Sequence, residues 1–152
     1  MQAFHLAHLD ALLKLDQDCS PYPWSANVMR SCLQGANHCW GEGDTNRIEA
    51  AIWWLQAPGE LQILNICVTP QYRRQGKASR LLQWAEQQAC QHADIDSIFL
   101  EVRQSNHAAI ALYQAHQFVE VGTRVGYYPS ATGNTTERED AILMAKSLFY
   151  HL

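Results

Sequence analysis

One stretch restricts the fold more than any other. An apolar run from Leu61 to Val68 passes directly into a basic turn, Thr69 to Gln75, and then through Gly76 into an amphipathic segment ending near Gln91. In that segment Ala78, Leu81, Leu82, Ala85 and Ala89 recur at helical spacing, with glutamines and Glu86 over much of the opposite side, so a helix is expected over Gly76–Gln91. A strand feeding a helix through such a turn gathers unpaired backbone N–H groups at the positive end of the helix dipole, which suits a phosphate or pyrophosphate. Gly76 removes the side chain that would keep an anion from those amides, and Arg73, Arg74 and Lys77 add positive charge. A purely structural turn with solvated arginines would look the same. Neither G-x-x-x-x-G-K-[ST] nor G-x-G-x-x-G is present, which disfavours nucleoside triphosphates and dinucleotides.

The rest of the sequence sets the frame for that unit. With 152 residues, one domain spanning 1–152 is expected. Hydrophobic residues make up 47% and charged residues 17%, which excludes disorder and allows a patch covered by a partner. A formal charge of −4 and a pI near 5.9 leave no electrostatic footprint for nucleic acid, so no direct nucleic-acid partner is expected. Met1 to Leu15 is interrupted by His5, His8, Asp10 and Lys14, which argues against an export signal or a membrane span. The five cysteines, Cys19, Cys32, Cys39, Cys67 and Cys90, form no C-x-x-C pair. Reduced thiols in a cytoplasmic protein are therefore expected, with no metal site.

Leu6, Leu9, Leu12 and Leu13, with Ala3, suggest an amphipathic helix through the first fifteen residues, broken at Pro21-Tyr22-Pro23-Trp24. Ser25 is a fitting N-cap for a second helix over Ala26–Gln34, with Gly35 as its left-handed stop. A strand around His38–Trp40 and a turn at Gly41-Glu42-Gly43-Asp44 should follow. Arg47–Leu55 and Leu61–Val68 then read as strands joined into a hairpin by Ala57-Pro58-Gly59. The apolar phase slips between Ile63 and Leu64, as a β-bulge near Asn65–Cys67 or a fully buried strand would produce. Beyond the long helix come a strand at Ser97–Val102, a helix at Asn106–His116, and strands around Phe118–Val121 and Ala141–Ala145. A polar loop at Pro129–Asp140 separates the last two.

Arg73-x-x-Gly76-x-Ala78 after a strand resembles the Q/R-x-x-G-x-G/A signature of the GCN5-related N-acetyltransferase family. Pro21-Tyr22-Pro23-Trp24-Ser25, Leu100-Glu101-Val102-Arg103, Ser105-Asn106, Ala109-Ile110-Ala111-Leu112-Tyr113, Tyr127-Tyr128-Pro129 and Arg138-Glu139-Asp140-Ala141 follow in family order. Together they are similar to the members that acetylate the N-terminal alanine of a small-subunit ribosomal protein. Departures are Ala78 where relatives often carry glycine, Lys77 in the loop, and a lengthened polar stretch at Ser130–Glu137. The resemblance implies an α/β fold with a mixed, mostly antiparallel sheet, splayed between its fourth and fifth strands to receive acetyl-CoA without a metal. It implies that pantetheine pairs with the backbone of Ile66, Cys67 and Val68. The amides from Arg74 through Gln75, Gly76, Lys77 and Ala78 to Ser79 would hold the pyrophosphate, with Arg73 beside them and Asn106 as a further contact.

The same resemblance makes Glu101 the general base and Tyr113 the general acid, with Trp24, Tyr127, Tyr128 and the Pro129–Asp140 loop as candidates for holding the protein substrate's N-terminus. Each role has a plain alternative. Glu101 could pair with Arg103, Tyr113 could be a core aromatic, Asn106 a helix N-cap, and the other aromatics could cap the core. Freeing an amine at pH 7 costs about 1 kcal/mol for a pKa near 7.8 and roughly 4.6 kcal/mol near 10.4, so an α-amine suits a single carboxylate better than a lysine. Acetylation of lysine or a small amine, and a non-catalytic acyl-CoA-binding or interaction module, are the competing readings.

Overall fold

A computed structural model describes residues 1–130 and 136–149. Seven strands, β1 (Gln2–Ala3), β2 (Asn37–Gly43), β3 (Ile48–Ala57), β4 (Gly59–Val68), β5 (Ile95–Arg103), β6 (Val119–Pro129) and β7 (Arg138–Ser147), form one sheet in the order β1-β2-β3-β4-β5-β7-β6. Four α-helices cover it: α1 (Leu9–Cys19), α2 (Ala26–Ser31), α3 (Lys77–Cys90) and α4 (His107–Ala115). Every neighbouring pair is antiparallel except β4 and β5, which are parallel and joined through α3. A parallel pair needs such a crossover, so the apolar stripe of α3 is laid back onto the sheet.

The core has two layers, one on each sheet face. Ala50, Ile52 and Trp54 of β3 face a cluster with Leu81, Leu82, Ala85 and Ala89 of α3 and Tyr113 of α4. Ala51 and Trp53 face the other way, among Phe4, Leu12, Leu15 and Met29. With side chains alternating, β3 is buried on both faces, which is why Arg47–Leu55 lacks an apolar-polar alternation.

Several local expectations are corrected. The N-terminal helix starts at Leu9 rather than at the first residues, because Gln2–Ala3 pairs with Gly41 and Trp40 while Phe4 buries its ring and donates its amide to the Cys39 carbonyl. Gly41, Glu42 and Gly43 belong to β2, and the reversal falls at Asp44–Arg47, where the Asp44 carboxylate accepts from the Asn46 and Arg47 amides. The second helix stops at Ser31, although Gly35 does adopt the left-handed conformation, with φ 64°. Ser25 caps it by accepting from the Val28 amide. β6 and β7 are longer than their apolar patterns suggest, since β6 is an edge strand with little core to mark it. The expected loop at Pro129–Asp140 shrinks as β7 begins at Arg138, and its residues 131–135 lie outside the described residues.

The phase slip is a bulge, one residue earlier than Asn65–Cys67. Trp53 pairs with Asn65 and Trp54 with Ile63, which leaves Leu64 extra. Leu64 packs toward the α1 side, and Asn65 next to it also reaches α1, donating its amide to Asp16. Two successive side chains on one face require the inserted residue.

Candidate active site

The bulge opens the sheet. β4 and β5 pair from Gly59↔Ile95 to Ile63↔Leu100; thereafter Asn65–Val68 pairs only with β3, and Glu101–Arg103 only with β7. Bulged strands bend and twist more strongly, which parts the two strands just after Leu64. The backbone of Ile66, Cys67 and Val68 thus borders a wedge in the middle of the sheet. Behind it, the buried carboxylate of Asp16 accepts from the Trp24 amide at 2.6 Å, Asn65 Nδ2 at 3.1 Å and the Cys67 thiol at 3.4 Å. Hydrogen bonding with Cys19, burial and the Asp16 charge push the Cys67 thiol well up.

At the wide end of the wedge, Pro70–Tyr72 makes one 3-10 turn and the chain enters α3 through two left-handed residues, Arg74 (φ 58°) and Gly76 (φ 75°). Left-handed residues alternating with one that is not, as Arg74, Gln75 and Gly76 do, turn backbone N–H groups towards a common concavity, and the first-turn amides of Lys77, Ala78 and Ser79 have no acceptor within the helix. A Cβ on Gly76 would meet only Arg80 Nη1, at 3.3 Å, and it is the left-handed φ of 75° together with the free first-turn amides that fits this loop to a pyrophosphate group.

The cations are disposed differently from the sequence expectation. Lys77 is buried and binds Glu42 at 2.6 Å and Glu49 at 2.8 Å, so its side chain offers no charge to the loop and only its amide remains available. Arg80 pairs with Glu42 at 2.8 Å and caps the Gln75 carbonyl. The hydrogen bonds from Arg80 and then Lys77 hold the Glu42 carboxyl down at about 2. Arg73 donates Nε to the Val68 carbonyl, tying the loop to the end of β4, while Arg74 and Gln75 are exposed. Ser79 Oγ meets His116 Nε2 at 2.6 Å, bracing α3 against the end of α4. Asn106 caps α4 by accepting from the Ala109 amide at 3.2 Å, as its plain alternative requires.

At the narrow end lies a cavity of about 410 Å³, lined by Glu60, Gln62, Ile63 and Leu64 of β4, Phe99, Leu100 and Glu101 of β5, Arg124 and Tyr127 of β6 and Leu143 of β7. Glu101 does not pair with Arg103: its Oε1 accepts from Arg124 Nε at 2.8 Å, and Arg103 binds Glu139 and the Pro129 carbonyl instead. Arg103 is stacked between Tyr22 and Tyr128 at 5.1 and 4.5 Å. Burial, and then the nearby Glu101 charge, push the Tyr128 phenol up to about 12. Tyr113 is buried against Phe118, and burial followed by the influence of Tyr128 and Cys67 holds its hydroxyl protonated far above neutrality. Tyr113 sits in the α3-side core cluster rather than among the residues lining the cavity. Trp24 is not among the cavity's lining residues; it packs edge-on against Trp53 at 5.7 Å, capping the α1-side core.

Arg124, Glu60, Asp16 and Tyr22 were missed as site residues. Of these only Tyr22 carried a signal, as part of the Pro21–Ser25 motif. The others are single charges on ordinary elements, made significant by what the fold puts opposite them.

This arrangement has counterparts. The sequence pattern of the Acetyltransferase (GNAT) family matches residues 9–118, most of the chain. The chain belongs to the GNAT family. Among GNAT relatives it is 36% identical over 138 residues to the ribosomal protein bS18-alanine N-acetyltransferase of Escherichia coli (strain K12), covering 90% of this chain and 89% of that enzyme. The crystal structure of the Escherichia coli ribosomal-protein-S18-alanine N-acetyltransferase superposes with a TM-score of 0.83 at 31% identity, covering 96% of this chain and 91% of that one. Arabidopsis thaliana NAA60 in complex with acetyl-CoA shares the GNAT fold, with a TM-score of 0.85 at 16% identity over 97% of each chain.

Proposed function

We propose that this GNAT protein transfers an acetyl group from acetyl-CoA to the N-terminal α-amine of a protein, with the N-terminal alanine of a small-subunit ribosomal protein as the substrate. One observation carries the reading. The cavity bearing Glu101 begins at Ile63, Leu64 and Leu100, where the β4–β5 ladder ends, so a carboxylate faces the point where a thioester lying in the wedge would terminate. Likeness to an enzyme with that substrate over nine-tenths of the chain supports the choice of acceptor.

Acetyl-CoA supplies the activated acetyl group. The nest at Arg74–Ser79 binds its pyrophosphate, the open backbone of Ile66, Cys67 and Val68 receives its arm, and the bulge at Leu64 frees a backbone N–H to donate to the carbonyl oxygen as negative charge develops there. Glu101 takes a proton from the amine, directly or through water. Tyr113, protonated because it is buried, gives its proton to the departing sulfur. Tyr127 and Tyr128 border the approach of the peptide.

The test is acetyl transfer to peptides differing only in their first residue, read as a mass gain of about 42 Da. An alanine-initiated peptide with no internal lysine should be acetylated, and Glu101→Gln should slow transfer about 100-fold. Indifference to the first residue, or transfer only to lysine side chains, would reject the assignment. Mass spectra of ribosomal proteins from cells lacking this chain should show one protein short of one acetyl group.

A further inference from the structure

The acceptor cavity already contains a cation. Arg124 places Nε 2.8 Å from Glu101 Oε1, and its guanidinium lies 5.5 Å from the centre of the Tyr127 ring. This position is built by an irregularity in β6. Between the pairs Arg124↔Ala141 and Tyr128↔Glu139, the strand runs through Val125, Gly126 and Tyr127 against Asp140 alone. Gly126 is left-handed at φ 59° and donates its amide to Asp140 Oδ1 at 2.8 Å, while Arg138 binds the Gly126 and Tyr127 carbonyls at 2.6 and 2.8 Å. Residues three apart on a regular strand face opposite sides; the bulge lets Arg124 and Tyr127 line the same cavity.

We propose that Arg124 is the resident counter-ion of the acceptor cavity. It neutralises Glu101 until the acceptor's positively charged terminus displaces it, and it returns once acetylation has removed that charge. The inference rests on Glu101 being the base. Transfer forms the N–C bond and breaks the C–S bond. Of the three ammonium hydrogens one stays on the amide, one replaces the proton Tyr113 gives to sulfur, and one leaves through Glu101 to solvent. The product terminus is neutral and no longer competes for the carboxylate, so Arg124 closes over Glu101 and speeds departure. The Arg124 side chain is 55% exposed and that of Glu101 30%, so the pair is of the weak, solvent-screened kind that another cation can replace.

The experiment uses the full chain with an alanine-initiated decapeptide and its N-acetylated form. Arg124→Gln should lower KM for the peptide by about 2- to 5-fold and Ki for the acetylated form by a similar factor, both differences shrinking in high salt. Arg124→Lys, which keeps the charge, should lie between and serves if the glutamine variant does not fold. A KM that is unchanged or raised in both variants overturns the proposal and makes Arg124 a prop for Glu101 or a peptide contact. In a Glu101→Gln background the calorimetric peptide affinity should no longer respond to Arg124→Gln. Full turnover by Glu101→Gln alone would remove the base assignment, a failure distinct from a wrong direction of the Arg124 effect.

Discussion

The two ends of the β4–β5 wedge solve opposite problems with different materials. At the proposed nucleotide end the surface offered to an anion is mostly backbone, because two of the nearby cations are already paired: Lys77 is buried against Glu42 and Glu49, and the exposed Arg80 is held by Glu42. At the proposed acceptor end the surface is side chain, with Glu101 on the interior strand β5 and Arg124 and Tyr127 on the edge strand β6, all partly exposed. Backbone amides in a rigid nest cannot be exchanged one residue at a time, which suits a constant cofactor. Side chains on an edge strand can be, which suits a variable substrate.

That contrast can be broken most sharply at the chemical centre. Tyr113→Phe should lower kcat by about 100-fold while leaving acetyl-CoA binding by calorimetry near wild type. Gly76→Val attacks the nucleotide end, since a β-branched residue is strongly disfavoured at φ 75°; the Kd for acetyl-CoA should rise about tenfold or more. A wild-type Kd in that variant would mean the nest is not the anion site.

A smaller effect tests the inward-turned charges. Glu42→Gln leaves the buried Lys77 with one carboxylate and should cost about 1–2 kcal/mol by urea unfolding, after allowance for solvent screening. The pH dependence has a defined sign. Glu42 is held at about 2, below its ordinary 4.5, so its contribution is complete above pH 4.5 and is lost as pH falls towards 2. The variant should therefore show a flatter stability curve over that window. Lys77 is shifted the opposite way, its hydrogen bonds to Glu42 and Glu49 raising it above 10.5, so its share persists at neutral pH and is lost only in stronger alkali. Least of all, Arg74→Ala should weaken acetyl-CoA about 2- to 3-fold, with the difference disappearing in high salt, because an exposed cation adds only screened charge.

Much of the nucleotide end was legible in the linear chain because it is local. The apolar run, the basic turn, Gly76 and the stripe of α3 are contiguous, and the phase slip at Ile63–Leu64 narrowed β4 to a bulged or a fully buried strand, between which the register with β3 decided. The acceptor end was less legible. Glu101 and Tyr113 were reached through motif resemblance, and simple strand spacing offered Arg103 as the partner of Glu101. The structure supplies Arg124 instead, from a strand 23 positions away whose bulge has no apolar signature. Likewise, nothing around Lys77 in the sequence indicates that it points inward, because Glu42 and Glu49 come from the β2–β3 hairpin.

What the sequence determined by itself is whatever depends on neighbours along the chain: the periodicity of α3, the glycine at its entry, the caps at Ser25 and Asn106, and the break in apolar phase along β4. The tertiary structure alone decided which charges meet. A carboxylate chooses among arginines by distance, and distance between residues of different strands is set by register, bulges and sheet order rather than by spacing in the chain.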